Sequence, residues 1–75
     1  MEPASTVVLT VPDISCAHCE RAIVEALRPV GGVGTVAVDV SARTVTVGYD
    51  RAVVAIDELK RVLAAEDYPV AETAP

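Results

Sequence analysis

The spacing of apolar residues in this 75-residue chain switches repeatedly between two and 3.6 residues, and that alternation limits its folds more than any other feature. Thr6 to Val11 reads as a strand, with Val7, Leu9 and Val11 on one face, stopped by Pro12 and Asp13. Cys19, Ala22, Ile23, Ala26 and Leu27 then recur at helical spacing, with Glu20, Arg21, Glu25 and Arg28 on the opposite side. Ser15 is the expected cap of this helix, and Pro29 with Gly31-Gly32 ends it. Val33 to Val40 and Thr44 to Tyr49 alternate again, joined by the Ser41-Ala42-Arg43 turn. Ile56, Leu59, Val62 and Leu63 mark a second helix over about Ile56 to Ala65, while Val53 and Val54 fit either that helix or the connection before it. A short last strand is expected at Pro69 to Ala71 or a little beyond, leaving Met1 to Ala4 and Glu72 to Pro75 as loose ends.

Strand, helix, strand, strand, helix, strand is the split βαβ order. It predicts an α+β domain of ferredoxin-like βαββαβ plan: one four-stranded antiparallel sheet covered on one face by two helices. The length allows one domain, 1–75, with an ordered body of about 5–71. Val and Leu rows form the covered face, and Thr6, Thr10, Thr35, Asp39, Thr44 and Thr46 the wet one.

A core this thin orders a shallow site more readily than a deep substrate pocket. The net charge of −5 and the presence of only two aromatics, Tyr49 and Tyr68, argue against nucleic acid. No apolar run approaches the roughly 20 residues of a membrane helix, so no membrane insertion is expected. The acidic start lacks the basic and apolar regions of a secretory leader, which makes a cytoplasmic location the default. Thiols there stay reduced, so a close cysteine pair suggests metal binding or redox chemistry before a structural staple.

That pair lies in Ser15-Cys16-Ala17-His18-Cys19. Cys16 falls in the loop after the first strand and Cys19 in the first helical turn, a spacing that brings both sulfurs to one side. A helix N-terminus favours thiolate, the form that binds metal. Two thiolates are soft donors suited to Cu(I) and other thiophilic ions. A closed zinc site wants four ligands, and the chain has two Cys and one His. An ion held by two ligands can take a third from an incoming partner and so transfer without entering water.

Val11-Pro12-Asp13-Ile14-Ser15-Cys16-Ala17-His18-Cys19, the amphipathic helix, Gly32-Val33, two Val-rich strands, Tyr49-Asp50 and the late Tyr68 together resemble the heavy-metal-associated domain over about Thr6 to Ala71. That domain is found in bacterial copper chaperones, in the mercury-binding periplasmic protein and in N-terminal modules of copper-transporting P-type ATPases. The resemblance implies a non-enzymatic metallochaperone that binds Cu(I) through Cys16 and Cys19. It also implies delivery to a copper-transporting P-type ATPase or its metal-binding domain. The family usually has Met where Ile14 stands, as a packing residue under the metal loop; Ile keeps an apolar anchor there. The late Gly-Tyr of the family is Asp67-Tyr68 here, and Asp adopts φ > 0 less easily than Gly. In bacterial members the Tyr shields the metal loop, which makes Tyr68 a candidate for that role.

His18 is a candidate third ligand, but adjacent residues on a helix diverge, so in the monomer it is expected to point away from the sulfurs. It remains available to an ion shared between two molecules, the apo form being expected as a monomer and the loaded form able to bridge into a dimer. Tyr68 can equally pack over the end of the core, and Tyr49 is expected in the core. A thiol–disulfide oxidoreductase is the competing reading of the Cys pair, disfavoured because a thioredoxin plan needs a longer chain and a cis-Pro loop. Zn(II), Hg(II) or an ATPase-regulatory module of the same fold are further alternatives. Ser15, where zinc-handling relatives often carry Asp, leans toward Cu(I).

Overall fold

The computed structural model describes residues 5–15 and 17–74; residues 1–4, Cys16 and residue 75 lie outside the described set. Four strands and two helices follow in the expected order. They are β1 (Ser5–Thr10), α1 (Ala17–Leu27), β2 (Val33–Asp39), β3 (Thr44–Tyr49), α2 (Ile56–Ala65) and β4 (Glu72–Ala74). The strands form one antiparallel sheet in the order β2-β3-β1-β4, so β1 and β3 are central. This is the ferredoxin-like arrangement that the element order requires.

Alternation fixes which side of each strand is buried. Val7 and Leu9 of β1, Val11 just beyond it, and Val45, Val47 and Tyr49 of β3 turn inward. Cys19, Ile23 and Leu27 of α1 and Leu59 and Leu63 of α2 close over them. Each such aliphatic side chain removed from water contributes roughly 1.5–3 kcal/mol, which is how a chain without Phe or Trp sustains a core. On the uncovered face Thr6 and Thr35 are exposed and Thr10, Thr44 and Thr46 are half-buried.

The connections are specified by backbone chemistry. After α1 the chain turns through Gly32 at φ 96, where a Cβ would stand 2.8 Å from Val54 Cγ1. Only glycine fits that combination of left-handed backbone and close approach. The Gly32 carbonyl accepts the Asp50 N–H at 2.7 Å, joining the two connections at that end of the sheet. Val53 and Val54 belong to the connection rather than to α2: Val54 is buried and Val53 is 64% exposed. Ala55 precedes α2 without a side-chain cap.

The last strand needs correcting. It is Glu72–Ala74, not Pro69–Ala71, and it pairs with β1 through Val8↔Ala74, Leu9↔Thr73 and Thr10↔Glu72. Residues read from sequence as a loose end therefore form an edge of the sheet. All three are exposed, so they carry no inward apolar side chain by which alternation could have flagged them.

Candidate metal site

Three connections meet at one end of the sheet. Thr10 pairs with Thr44 on one side and Glu72 on the other; the Val11 N–H donates to the Arg43 carbonyl at 2.8 Å, and the Ala71 N–H to the Thr10 carbonyl at 2.8 Å. The β1–α1 loop thus lies beside the β2–β3 turn and the α2–β4 connection. Because α1 starts at this end, its unpaired N–H groups face the same region.

Within the loop, a turn closes from the Ile14 N–H to the Val11 carbonyl at 3.1 Å. It drives the Ile14 side chain into the core, where it is fully buried. Ile14 thus anchors the segment leading to the cysteines. Cys16 itself lies outside the described residues. Cys19 sits in the first turn of α1 and is 8% exposed, at the edge of the core cluster. Its Sγ lies 3.7 Å from Ser15 Oγ and 4.0 Å from the Asp13 carbonyl oxygen, both within the reach of weak sulfur hydrogen bonds. Sequence reading took Ser15 for a helix cap and did not foresee its approach to Cys19. No spacing rule signals it, because Ser15 precedes α1 and meets Cys19 only through the path of the loop into the helix.

His18 is exposed while its neighbour Cys19 is buried, the divergence expected of adjacent helical positions. Among the described residues no group of three or more His, Cys, Asp or Glu gathers as a metal cage. Tyr68 is half-buried against the core, and Tyr49 is 6% exposed within it. The Tyr68 N–H donates to the Leu63 carbonyl at 2.8 Å and the Asp67 N–H to the Ala64 carbonyl at 3.1 Å. Asp67 takes φ 69 between them. These bonds make a Schellman ending to α2. Asp67 therefore holds the left-handed conformation natural to glycine, and the backbone leading to Tyr68 is kept.

No helix among the described residues is long and apolar enough to cross a membrane. A shallow cleft runs along the outer side of α1, lined by Ala17, Glu20, Arg21, Val24, Glu25 and Arg28.

Comparison with known proteins extends these observations to nearly the whole chain. The heavy-metal-associated domain family matches residues 8–69. The copper chaperone CopZ of Staphylococcus haemolyticus is 33% identical over 63 residues, covering 84% of this chain and 93% of that protein. Among solved structures, a CopZ metallochaperone superposes with TM-score 0.86 at 33% identity, covering 89% of this chain and 100% of its own. Oxidized MerP from Ralstonia metallidurans CH34 does so with TM-score 0.85 at 31% identity, covering 92% and 99%. Matched along almost its full length, in fold and in sequence together, the chain belongs to the heavy-metal-associated domain family.

Proposed function

We propose that this chain is a single-domain copper carrier that holds one Cu(I) between Cys16 and Cys19 and passes it to a partner by ligand exchange. The observation that carries this reading is the near end-to-end match to relatives named as copper chaperones. The donor chemistry agrees with it. Two thiolates suit a soft monovalent ion, and the two Cys and one His in the sequence fall short of a closed tetrahedral zinc site.

The buried Ile14 and the first turn of α1 hold the backbone on either side of Ser15, which supports Cys19 as a ligand on a firm base. In such an exchange an incoming thiolate joins the ion, one cysteine then leaves, and a second incoming ligand displaces the other, so that each metal–sulfur bond broken is matched by one formed and copper stays Cu(I). A copper-transporting P-type ATPase, or its metal-binding domain, is the proposed acceptor, and the cytoplasm the proposed setting. The apo protein is proposed to be a monomer, and the exposed His18 a group that can join an ion shared by two copies. Tyr68 is assigned a place over the metal loop.

Anaerobic Cu(I) titration against a competing chelator, with stoichiometry read by native mass spectrometry, tests this. One ion per chain is expected. A protein with both cysteines changed to Ser that kept full affinity would refute the assignment of Cys16 and Cys19. Insulin-reducing turnover by the native chain would favour the oxidoreductase reading.

A further inference from the structure

We infer that Ser15 is a positioning residue for the Cys19 sulfur: its hydroxyl holds that sulfur in one orientation and remains a donor to it as the ion leaves. This rests on Cys19 being a ligand as proposed above, although the contact itself involves no metal.

Ser15 and Asp13, both polar neighbours of Cys19 Sγ, differ in kind. The Asp13 carbonyl at 4.0 Å can only accept, so its contact exists while the sulfur carries a proton. The Ser15 hydroxyl at 3.7 Å can donate, and its bond to sulfur is therefore open to thiol, thiolate and metal-bound sulfur alike. A donor to an anionic acceptor binds more strongly than to a neutral one. When Cys19 gives up the ion it is left as a buried thiolate, facing a carbonyl oxygen that repels it. Ser15 supplies the opposing dipole at that moment. It thereby lowers the cost of breaking the Cys19–metal bond and speeds hand-off. Ser15 is exposed, so its side chain carries little of the packing.

The test compares Ser15→Thr, Ser15→Val and Ser15→Ala in the full chain. Thr and Val have nearly the same shape, and only Thr keeps the hydroxyl. In the metal-free, reduced protein, three-bond couplings between the α and β protons of Cys19 report its χ1 orientation. One orientation is expected for the native protein and Ser15→Thr, and averaging for Ser15→Val and Ser15→Ala, with thermal midpoints unchanged. In the loaded protein, Cu(I) transfer to bicinchoninate is followed by stopped flow. Ser15→Val and Ser15→Ala should slow it by about three- to tenfold, the scale of one weak hydrogen bond, and Ser15→Thr should not. Equal couplings in all four proteins, or Thr and Val behaving alike, would overturn the inference. Failure of the native chain to take up Cu(I) would refute the carrier reading alone, because the couplings still decide the role of Ser15 without metal.

Discussion

At the scale of single residues, Ile14, Cys19 and His18 occupy three different environments within five positions of sequence. Ile14 is fully buried, Cys19 is nearly so, and His18 faces solvent. Their substitutions should separate accordingly. Ile14→Ala removes three carbons from the core and should cost about 2–5 kcal/mol, whereas Ile14→Met keeps the volume and should cost less than about 1.5 kcal/mol. Urea denaturation checks both; equal losses would mean that the loop is not held by that side chain. Cys19→Ser should leave a folded protein, since it is near isosteric and already borders polar atoms, yet it should abolish tight Cu(I) uptake. His18→Ala should change affinity in the monomer by far less. A loss as large as that of the Cys variant, read in the same chelator competition, would make His18 a ligand. Much of this was legible from spacing, because the apolar stripe containing Cys19 skips His18. The Ser15–Cys19 contact was not, because it depends on how the loop enters the helix rather than on any periodic pattern.

At the scale of elements, strands and helices with a strong inward row were readable and those without one were not. β3 and α2 fall where Val45-Val47-Tyr49 and Ile56-Leu59-Leu63 place them. β4 fell three residues late because the backbone of β1, through the Thr10 carbonyl and the pairing of Val8 to Thr10, defines it rather than its own exposed side chains. The turns likewise depend on backbone states that residue type only suggests. Asp67 carries the left-handed cap of α2 without being glycine. Asp67→Gly should therefore stabilise the protein by up to about 1 kcal/mol, provided the gain in backbone ease exceeds the added freedom of the unfolded chain. A decrease would show that the Asp side chain contributes more than its backbone costs. Gly32→Ala is the opposite case. The positive φ and the 2.8 Å approach to Val54 Cγ1 should together cost about 2 kcal/mol or more, seen as a lower denaturation midpoint at constant slope.

For the whole molecule, the topology sorts charge as well as chain direction. The β1–α1 loop, the β2–β3 turn and the α2–β4 connection share the end that carries Cys19. Asp13, Asp39, Glu66, Asp67 and Glu72 lie on or next to these segments, with Arg43 as the cation among them. Elsewhere the described residues balance: Glu20, Glu25, Asp50, Asp57 and Glu58 are offset by Arg21, Arg28, Arg51, Lys60 and Arg61. Glu58 and Arg61 make a direct pair at 2.9 Å. Four of the five net negative charges thus lie around the candidate site, the fifth being that of Glu2 outside the described residues, although no acidic residue belongs to the donor set. A field of this kind acts on the rate at which charged reagents arrive and fades once salt shortens the Debye length to a few ångströms. Cationic and anionic methanethiosulfonates of similar size should therefore react with the reduced cysteines at different rates. Each rate is normalised to the same reagent's reaction with a small neutral thiol. At low ionic strength the cationic reagent should be favoured by about threefold or more, and near 1 M salt the preference should largely vanish. Replacing Glu66 and Asp67 by Gln and Asn should reduce it without touching either cysteine. A normalised ratio of one at low salt would mean that solvent screens these carboxylates before their field reaches the sulfurs, and that the acidic composition has no bearing on what approaches the site.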